Sequence, residues 1–492
     1  MREQLPALIV VVPLLAALAS PFIAYFSKTL VRWLSIAAIS VALLSSIGSL
    51  VHALTQGTWH YHFGNWAPPW GIEYVIDPLG GAMAVLISFV SLVVAIYSGP
   101  FLKEDTWLKK GIFYSLYTLL TTGLLGMVVT GDVFNFYVFL EISSLTGYAL
   151  IAAGGHRATV AAFRYLLIGT IGASFYLLGI GYLYAITGSL NMADLVEKLP
   201  PLIDSPVVLL AIVMFVVGLG TKMALFPLHG WQPDAYTYSH PAATAFIAGV
   251  MAKVPAYAVL RFFFFIIGSA TTPVKAALEV MGWLAAVGII AGSIMAIAQK
   301  DFRRMLAYSS VAQIGYIVVG FAVGNTLGLI GAILHIINHA IMKSCLFLVA
   351  GGVQWRTGEH TIEKYAQLCR KMPLTMGAFL IAALSMVGLP PTAGFFSKWY
   401  LVLGALEANM WPYVVIIIIS SLLNAIYFFR VIENIYLKKS SEPSEEVKGS
   451  LELPLQMLVP IVVLGLGILV IGIFNEQIVS QVLLYALPGG GN

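Results

Sequence analysis

Seven ionisable side chains stand inside long apolar stretches of this 492-residue sequence: Glu141, Lys222, Lys253, His335, His339, Lys343 and Lys398. An ionisable group in the hydrocarbon core of a bilayer is costly, so it usually has a function and faces protein or water. Carboxylate, amine and imidazole groups can all take up and release protons, and desolvation makes their neutral forms accessible. When such groups lie close together, the charge of each depends on its neighbours. The set therefore indicates proton movement along a polar line that runs laterally through the bilayer.

Glu141 follows Asp132 by nine residues in an apolar run. That distance corresponds to about 13 Å along a helix and places the carboxylate near the bilayer centre. Hydroxyl and small residues such as Ser144 and Gly147 come just after it and favour close helix contact. Its own helix offers no basic partner. A functional carboxylate is therefore favoured over a structural one that pairs with an Arg or Lys of another helix.

Lys222 stands near the end of an apolar run, before Pro227, Gly230 and Pro233, which cannot continue a regular helix comfortably. Non-helical backbone at membrane depth is tolerated only where it is buried in protein or lines a cavity. A broken helix beside a lysine is therefore typical of a transport protein. The alternative is a lysine whose amine reaches the membrane surface.

Lys398 follows a second stretch of this kind, which contains Pro390, Pro391 and Gly394. The two predicted interruptions, near 227–234 and 388–394, lie in corresponding halves of the chain. Paired interruptions of this sort are typical of transporters built from an inverted repeat.

His335, His339 and Lys343 recur every four residues, so they share one stripe of a helix. Two histidines at this spacing can bind a metal ion, but no third ligand is evident and we predict no metal site. Protonatable groups about 6 Å apart along a helix suit proton transfer through intervening waters. Hydrogen-bonded core histidines are the remaining alternative. Lys253, with apolar residues on both sides, fits proton transfer better than a structural ion pair.

The composition explains why these groups must be held inside a membrane. Hydrophobic residues make up 60% of the sequence and charged residues only 10%, whereas soluble domains average roughly 25% charged residues. A soluble globule of this size could not cover its surface with so few polar groups. The composition excludes a soluble enzyme, a nucleic-acid binder and a disordered chain. The net charge of +4 is too small to indicate a polyanionic partner.

Apolar runs long enough to cross roughly 30 Å of hydrocarbon recur along the whole chain. They are continuously apolar and do not alternate, which predicts an all-α integral membrane protein rather than a barrel. We expect fourteen regions, at 4–26, 31–54, 76–99, 112–130, 133–153, 160–187, 205–227, 241–268, 274–298, 304–323, 327–352, 373–402, 411–437 and 453–475.

The basic residues give an independent check on this count. Lys and Arg cluster in the connections after regions one, three, five, nine, eleven and thirteen, and are absent from those after two, four, ten and twelve. By the positive-inside rule the odd-numbered connections are cytoplasmic and both termini lie outside. An even number of crossings requires both termini on one side, so the count and the charges agree.

Two stretches need separate interpretation. The sequence Ala17-Leu18-Ala19 before Ser20 resembles a signal-peptidase site. The apolar run continues through Phe26, however, so we expect the first helix to be retained. The longest polar stretch, from Lys438 to Ser450, is interpreted as a solvated loop.

No sequence motif for a cofactor is present. The two cysteines, Cys345 and Cys369, form no CxxC pair, which argues against an iron–sulfur cluster or structural zinc. Neither GxGxxG nor GxxxxGK[ST] occurs. We therefore predict no bound cofactor, and any redox or nucleotide chemistry must reside in another chain.

Six motifs resemble a known family: GDVFNFYVFLEI, GTKMALFPLHGWQPDAY, SHPAATAFIAGVMAKVPAY, RRMLAYSSVAQIGY, HIINHAIMKS and GLPPTAGFFSKW. They look like the proton-translocating antiporter-like subunits shared by Mrp-type sodium/proton antiporters, respiratory complex I and membrane-bound hydrogenases. The similarity extends over nearly the whole chain. The first motif and the length most resemble the D-type member of Mrp complexes and its counterpart in archaeal hydrogenase-type complexes.

The resemblance implies fourteen helices in which regions four to eight and nine to thirteen form two inverted five-helix repeats. It divides the chain into residues 1–110 with helices one to three, 111–270 with the first repeat, 271–437 with the second repeat, and 438–492 with the polar loop and the last helix.

The resemblance also implies residue roles. Glu141 and Lys222 would form an ion pair near one end, and Lys253 would be the central bridging lysine. His335 and His339 would be the central relay. Lys398 would occupy the position on the second broken helix that is Lys in some members and Glu in others.

Two functions follow from these observations. The first is the proton-translocating subunit of a multisubunit Mrp-type Na⁺/H⁺ antiporter. The alternative is a proton- or sodium-pumping subunit of a membrane-bound hydrogenase or complex I-related complex, where the chain would count as part of a translocating oxidoreductase. Both place it in the cell membrane with other membrane subunits as partners and with H⁺, and in an antiporter Na⁺, as the ions. A stand-alone transporter of organic solutes is disfavoured, because the intramembrane groups are mostly proton carriers without an aromatic cage.

Overall fold

The structure, a computed structural model, describes residues 2–438 and 451–489 of the chain. Most of the solvated loop expected from Lys438 to Ser450, including Lys439 and Lys448, therefore lies outside the described residues. Within the described residues, thirteen helices are long and apolar enough to cross a membrane. The architecture is the all-α membrane fold expected from the sequence.

The helices run along the chain as follows: α1 (Leu5–Phe26), α2 (Leu30–Gln56), α3 (Pro78–Tyr97), α4 (Trp107–Val129), α5 (Val133–Ala152), α6 (His156–Thr187), α7 (Met192–Lys198), α8 (Pro206–Met223), α9 (Gln232–Tyr238), α10 (Pro241–Ile266), α11 (Thr272–Ile297), α12 (Phe302–Val323), α13 (Thr326–Thr357), α14 (Pro373–Val387), α15 (Ala393–Glu407), α16 (Trp411–Tyr436) and α17 (Leu455–Ile473). Short helices cover Leu368–Lys371 and Asn475–Ile478, and single 3-10 or π turns complete the connections.

Every one of the fourteen predicted regions coincides with this helical framework. Thirteen match the long helices, and region twelve is divided between α14 and α15, each of 15 residues. The short helices α7 and α9 lie in the connections between predicted regions. Region eight, α10, is interrupted by π-helical turns at Ile247–Met251 and Arg261–Ile266, which the apolar pattern alone did not predict.

Helix ends are fixed by capping side chains at the membrane boundaries. Asp77, Asp132, Asp301 and Asn325 each accept a hydrogen bond from the backbone N–H three residues on, at the start of α3, α5, α12 and α13. Such caps satisfy one of the four free N–H groups at a helix start. Polar residues at the ends of apolar runs therefore set where the helices begin.

A β-hairpin between α2 and α3 was not predicted. Its strands, β1 (Trp59–His62) and β2 (Glu73–Ile76), are antiparallel, and His62 pairs directly with Glu73. Isolated bridges then join Tyr74 to Thr130 and Asp132 to Asn191. The hairpin therefore connects the loops after regions two, four and six on one face of the molecule.

The opposite set of connections is joined in the same way. A bridge between Asp301 and Thr361 links the loop after region nine to the loop after region eleven. These bridges join even-numbered loops to each other and odd-numbered loops to each other. This is the pattern expected if successive helices cross the membrane in alternating directions. Burial is deepest in α10, α12 and α13, which form the centre of the helix assembly.

Glu73 fastens the hairpin from a buried position. Its carboxylate lies 3.2 Å from Nδ1 of His60 and 3.4 Å from Nε2 of His62, and it accepts a hydrogen bond of 2.8 Å from the amide of Asn191. The hydrogen bond with Glu73 raises the pKa of His60 above its ordinary value, against the effect of burial. Burial opposes ionisation of Glu73, but hydrogen bonds from His60 and Asn191 hold its pKa below the ordinary value overall.

These opposite shifts predict a pH window for the hairpin. The His60 contribution is complete below its ordinary pKa of 6.5 and is lost as the pH rises through the raised value. The Glu73 contribution is present above 4.5 and is lost as the pH falls through the lowered value. Hydrogen exchange of the hairpin amides, corrected for intrinsic rates, should therefore show more protection at about pH 5.5 than at about pH 8.5. Glu73→Gln should remove the difference, and equal protection in the unmodified protein at both pH values would contradict the assignment.

Candidate functional site

Glu141 and Lys222 face each other across α5 and α8. The Nζ of Lys222 lies 3.8 Å from Oε1 of Glu141, and only 3% of the lysine side chain is exposed. The amine donates hydrogen bonds to Oγ of Ser144 at 2.7 Å and to the hydroxyl of Tyr148 at 3.3 Å. Glu141 Oε1 is buried without a hydrogen-bond partner among the described residues. The lysine is thus shared between a carboxylate and two hydroxyls of the same helix, and it does not reach the membrane surface.

The break after Lys222 is held by specific contacts. α8 ends at Met223, and Ala224 adopts a left-handed backbone with φ of 61°, which is unusual for a residue with a side chain. The indole Nε1 of Trp231 donates 2.9 Å to the carbonyl of Thr221, one of the groups freed by the break. Trp231 also stacks on Tyr165 with ring centroids 3.7 Å apart. Irregular backbone is therefore tolerated here because protein groups satisfy it.

A small cavity lies beside Lys222, between α5, α8 and α10. Its volume is about 10 Å³, and its walls include Ser144 and Lys222 on one side and Met251 and Pro255 on the other. Such a volume is close to the minimum that holds one water molecule. Lys253 lies on the backbone between Met251 and Pro255, so the cavity adjoins the segment that carries it.

Lys253 is buried at the junction of a π-helical turn and the following α-helical part of α10. Its amine donates 2.5 Å to the carbonyl of Ala248, five residues earlier. It lies within electrostatic range of His335, His339 and Lys343. π-Helical turns often mark functional sites, because the extra residue reorients side chains and frees backbone groups.

His335, His339 and Lys343 lie along the buried face of α13, as predicted. The rings of His335 and His339 are parallel to within 18°, with centroids 5.9 Å apart. Lys343 donates to the carbonyl of Leu306 at 2.7 Å and to the hydroxyl of Ser309. Within the described part of the chain, no group of His, Cys, Asp and Glu side chains is arranged to hold a metal ion.

The two histidines differ in their hydrogen bonding. His335 Nδ1 is 2.9 Å from Ser397 Oγ, and Nε2 is 2.9 Å from Oε1 of Gln313. Both ring nitrogens of His339, by contrast, are buried with no hydrogen-bond partner in the described structure. A buried polar group without a partner is costly and calls for an explanation such as exchange of protons.

Lys398 reaches back from α15 to the end of α14, across the second break. Its amine donates to the carbonyls of Met386 at 2.9 Å and Val387 at 3.0 Å, and to Ser421 Oγ at 3.3 Å. These carbonyls belong to the last turn of α14 and carry the negative end of the helix dipole. The lysine therefore binds where a broken helix exposes partial negative charge.

The seven predicted side chains lie together inside the helix assembly and are here called the buried series: six are buried, and the side chain of Glu141 is 24% exposed. Glu141 adjoins Lys222, Lys253 lies near His335, His339 and Lys343, and Lys398 interacts electrostatically with His335. The sequence singled out Ser144 beside Glu141 but not the other partners that hold the series, chiefly Tyr148, Gln313 and Ser397. The sequence feature that could have pointed to these partners is the presence of polar residues in otherwise apolar helices.

The structural roles of two further charges outside this series, the partly buried Arg261 and the buried Arg303, were also missed. Arg261, near the end of α10, makes a bidentate contact with Asp77, at 2.6 and 2.9 Å. Arg303, assigned from its sequence position to a basic cytoplasmic connection, is buried and donates to the carbonyl of Ser239 and the hydroxyl of Thr244. It fixes the start of α10 rather than marking a loop surface.

The match to known proteins is extensive. Residues 130–424 match the family model described as "NADH:quinone oxidoreductase/Mrp antiporter, TM". The chain belongs to this family. The matched range contains all seven residues of the buried series, so the family assignment and the site rest on the same part of the molecule.

Members named for both kinds of complex resemble this chain. It is 57% identical to NADH-quinone oxidoreductase subunit N of Desulforudis audaxviator, with 99% of each chain covered. It is 31% identical to the D-type member of the Na(+)/H(+) antiporter of Alkalihalophilus pseudofirmus, with 96% of this chain and 97% of the relative covered. Among solved structures, a chain of the membrane-bound sulfane sulfur reductase, an archaeal respiratory membrane complex, has a TM-score of 0.90 at 29% identity, over 99% of this chain and 97% of the other.

The contrast between the two histidines gives a testable prediction. His335→Leu leaves Gln313 and Ser397 with unpaired buried groups, which costs about 1–3 kcal/mol, so the thermal midpoint of the purified protein should fall clearly. His339→Leu removes no hydrogen bond seen among the described residues and should leave the midpoint nearly unchanged. Proton transport in vesicles should nevertheless be lost in both. A His339→Leu variant with unchanged transport would count against its place in the series.

Proposed function

We propose that this chain is a proton-translocating, antiporter-like subunit of a multisubunit membrane complex, and that protons pass along the buried series from Glu141 to Lys398. The observation that supports this most directly is the arrangement of seven titratable groups inside the helix assembly, two of which, Lys222 and Lys398, lie at the helix breaks. Family membership supports the same function. The roles given to individual residues below are part of the proposal.

The first step involves Glu141 and Lys222. At 3.8 Å the two groups attract each other without a direct hydrogen bond, while Ser144 and Tyr148 offer the amine alternative acceptors. A charged lysine is drawn toward the carboxylate, whereas a neutral one is held well by the hydroxyls alone. The pair can therefore alternate between two arrangements when a proton arrives or leaves.

The central step passes through Lys253 to the histidines of α13. The amine of Lys253 has only one backbone acceptor among the described residues, and the ring of His339 has none. A proton on either group raises the cost of a proton on the other, because like charges repel strongly in a poorly solvated interior. Arrival of one proton therefore promotes departure of the next.

The last step ends at Lys398. Its amine lies against the carbonyl end of α14, close to Ser397, which also contacts His335.

We infer that the two broken helices belong to two inverted repeats, regions four to eight and nine to thirteen. Each break falls in the fourth region of its repeat, at 224–231 and 388–392.

The placement in the cell follows from the charge pattern. We infer a location in the cell membrane, with odd-numbered connections in the cytoplasm and both termini outside, because Lys and Arg accumulate in the odd-numbered connections. The bridges between odd-numbered loops and between even-numbered loops support the alternation on which this inference depends.

Two assemblies are compatible with this function. The 31% identical relative, named for a Na(+)/H(+) antiporter, supports an Mrp-type complex in which protons exchange for sodium. The 57% identical relative, named for an NADH-quinone oxidoreductase, supports a redox-driven complex, and so does the structural likeness to a sulfane sulfur reductase chain. The 57% identity is the specific observation that supports a redox-driven assembly as a second candidate beside the Mrp-type complex.

The proton path is tested by removing either member of the first pair. Glu141→Ala and Lys222→Ala should each abolish proton-coupled ion transport in everted vesicles, because each removes a group that protons must occupy. Assembly, judged by the amount of intact complex in the membrane, should remain close to normal.

Matched controls exist on α11, where Lys275 and Glu279 are both exposed. Lys275→Ala and Glu279→Ala should leave transport intact. Normal transport by Glu141→Ala or Lys222→Ala, with controls also normal, would refute the proposed roles.

The assembly is tested by purification through a tag on this chain in mild detergent. A redox-driven complex should yield co-purifying subunits with iron–sulfur or quinone chemistry, and transport should depend on an electron donor. An Mrp-type complex should yield small membrane subunits, and transport should depend on a sodium gradient. Recovery of this chain without either set of partners would overturn the assignment to a multisubunit complex.

A further inference from the structure

A basic pocket opens on the face of the molecule that carries the odd-numbered connections. It has a volume of about 640 Å³ and lies among the ends of α1 to α4 and the start of α17. Four cationic residues line it, namely Lys28, Arg32, Lys103 and Lys110, and none of its described lining residues is Asp or Glu. None of its lining residues belongs to the buried series.

The four cations have no acidic partner within the described residues. Arg32 donates to the carbonyl of Ile96 at 2.9 Å and to Gln456 at 3.2 Å, while its buried Nε has no partner in that part of the chain. Lys110 donates to the carbonyl of Lys103. Lys28 and Lys110 are close enough to repel each other, and the attraction of Lys110 to Glu104 or to Asp105 is in each case weaker than this repulsion. An anion among the four cations would lower the remaining cost.

The backbone is shaped to admit the guanidinium of Arg32. A Cβ atom at Gly99 would lie 2.4 Å from Cζ of Arg32. A larger residue at position 99 would therefore displace the guanidinium from its present place.

The pocket lies at the depth of the membrane interface. Trp355 is on its wall, and Trp107 contacts Tyr25 edge to face close by, with centroids 5.2 Å apart. Trp and Tyr are enriched at the level of lipid headgroups. Below the pocket, α1 and the start of α2 present exposed apolar side chains, among them Phe22, Phe26 and Leu30.

We propose that this pocket binds the headgroup of an anionic phospholipid, whose phosphodiester is held by the four cations while its acyl chains lie along α1 and α2. A basic pocket between membrane helices is suited to such a headgroup. Charge complementarity and the apolar surface next to the cations favour a lipid over a soluble anion. Glu104 and Asp105 lie in the neighbouring loop, outside the pocket wall, and leave the site net positive.

The test uses the intact complex, purified through a tag on this chain, with bound lipid counted by native mass spectrometry during titration with phosphatidylglycerol or phosphatidylcholine. Lys28→Gln/Lys103→Gln removes two exposed cations whose amines make no hydrogen bond in the described structure. At about one kcal/mol per basic residue, it should weaken phosphatidylglycerol binding about 30-fold. Lys109→Gln/Lys300→Gln, which removes two exposed cations from the same face outside the pocket, should leave binding unchanged.

Four other outcomes of this experiment would contradict the binding of an anionic phospholipid. Equal phosphatidylglycerol binding by the pocket variant, or equal binding of phosphatidylcholine by the unmodified complex, would overturn the proposal. Displacement of the lipid by millimolar inorganic phosphate would assign the pocket to a free anion instead. Loss of a partner subunit from the pocket variant, without loss of lipid, would assign it to a protein contact. Arg32→Gln provides a second variant, and its size-exclusion profile separates loss of binding from loss of folding.

Discussion

The cost of placing a charge in a poorly solvated interior governs the centre of this molecule. A lysine taken out of water needs either a counter-charge or several oriented acceptors. The chain supplies acceptors in two ways. The carbonyls of Met386 and Val387 at the interrupted end of α14 hold Lys398, whereas the hydroxyls of Ser144 and Tyr148 on the continuous helix α5 hold Lys222. The second break thus provides the acceptors of Lys398, while Trp231 satisfies a backbone carbonyl at the first break.

The balance of charges in the series follows from the same constraint. Of its seven members only Glu141 is acidic, and the other six are cationic when protonated. Six positive charges with one counter-charge cannot coexist in a low-dielectric interior, because unscreened repulsion between near neighbours amounts to several kcal/mol. Most of the series must therefore be neutral at any moment. A partly protonated row is what lets a proton move, since a full row has no vacant site.

The sequence was sufficient to find the series because membrane-embedded charges are rare. Glu141, Lys222 and Lys398 stand out against an apolar background, and the four-residue spacing in α13 places its three groups on one stripe without tertiary information. The fourteen regions followed from length and composition, since a helix must satisfy its own backbone in lipid. The two breaks followed from proline and glycine.

Contacts between segments that are distant in the chain could not be predicted from the sequence. The hairpin depends on His62 meeting Glu73, and Glu73 is fastened by Asn191, 118 residues away. Arg303 sits among basic residues of a connection in the sequence, yet it is buried against Ser239 and Thr244. The π-helical turns around Lys253 arise from tertiary packing in a span that is buried throughout its length, where neighbouring helices override local preference. Local pattern cannot reveal such partners, because each half of the interaction is unremarkable alone.

The size of the space beside the series bears on which ion travels through it. The cavity next to Lys222 has a volume of about 10 Å³, enough for about one water molecule. A proton can pass such a point by transfer between side chains and a single water. A sodium ion with part of its hydration shell, or an organic solute, needs several times that volume together with oxygen ligands. At Lys222 the nearest groups are one carboxylate and two hydroxyls, already engaged with the amine. In this arrangement, the space beside Lys222 has room for about one water molecule and not for a hydrated sodium ion, which agrees with the proposed passage of protons.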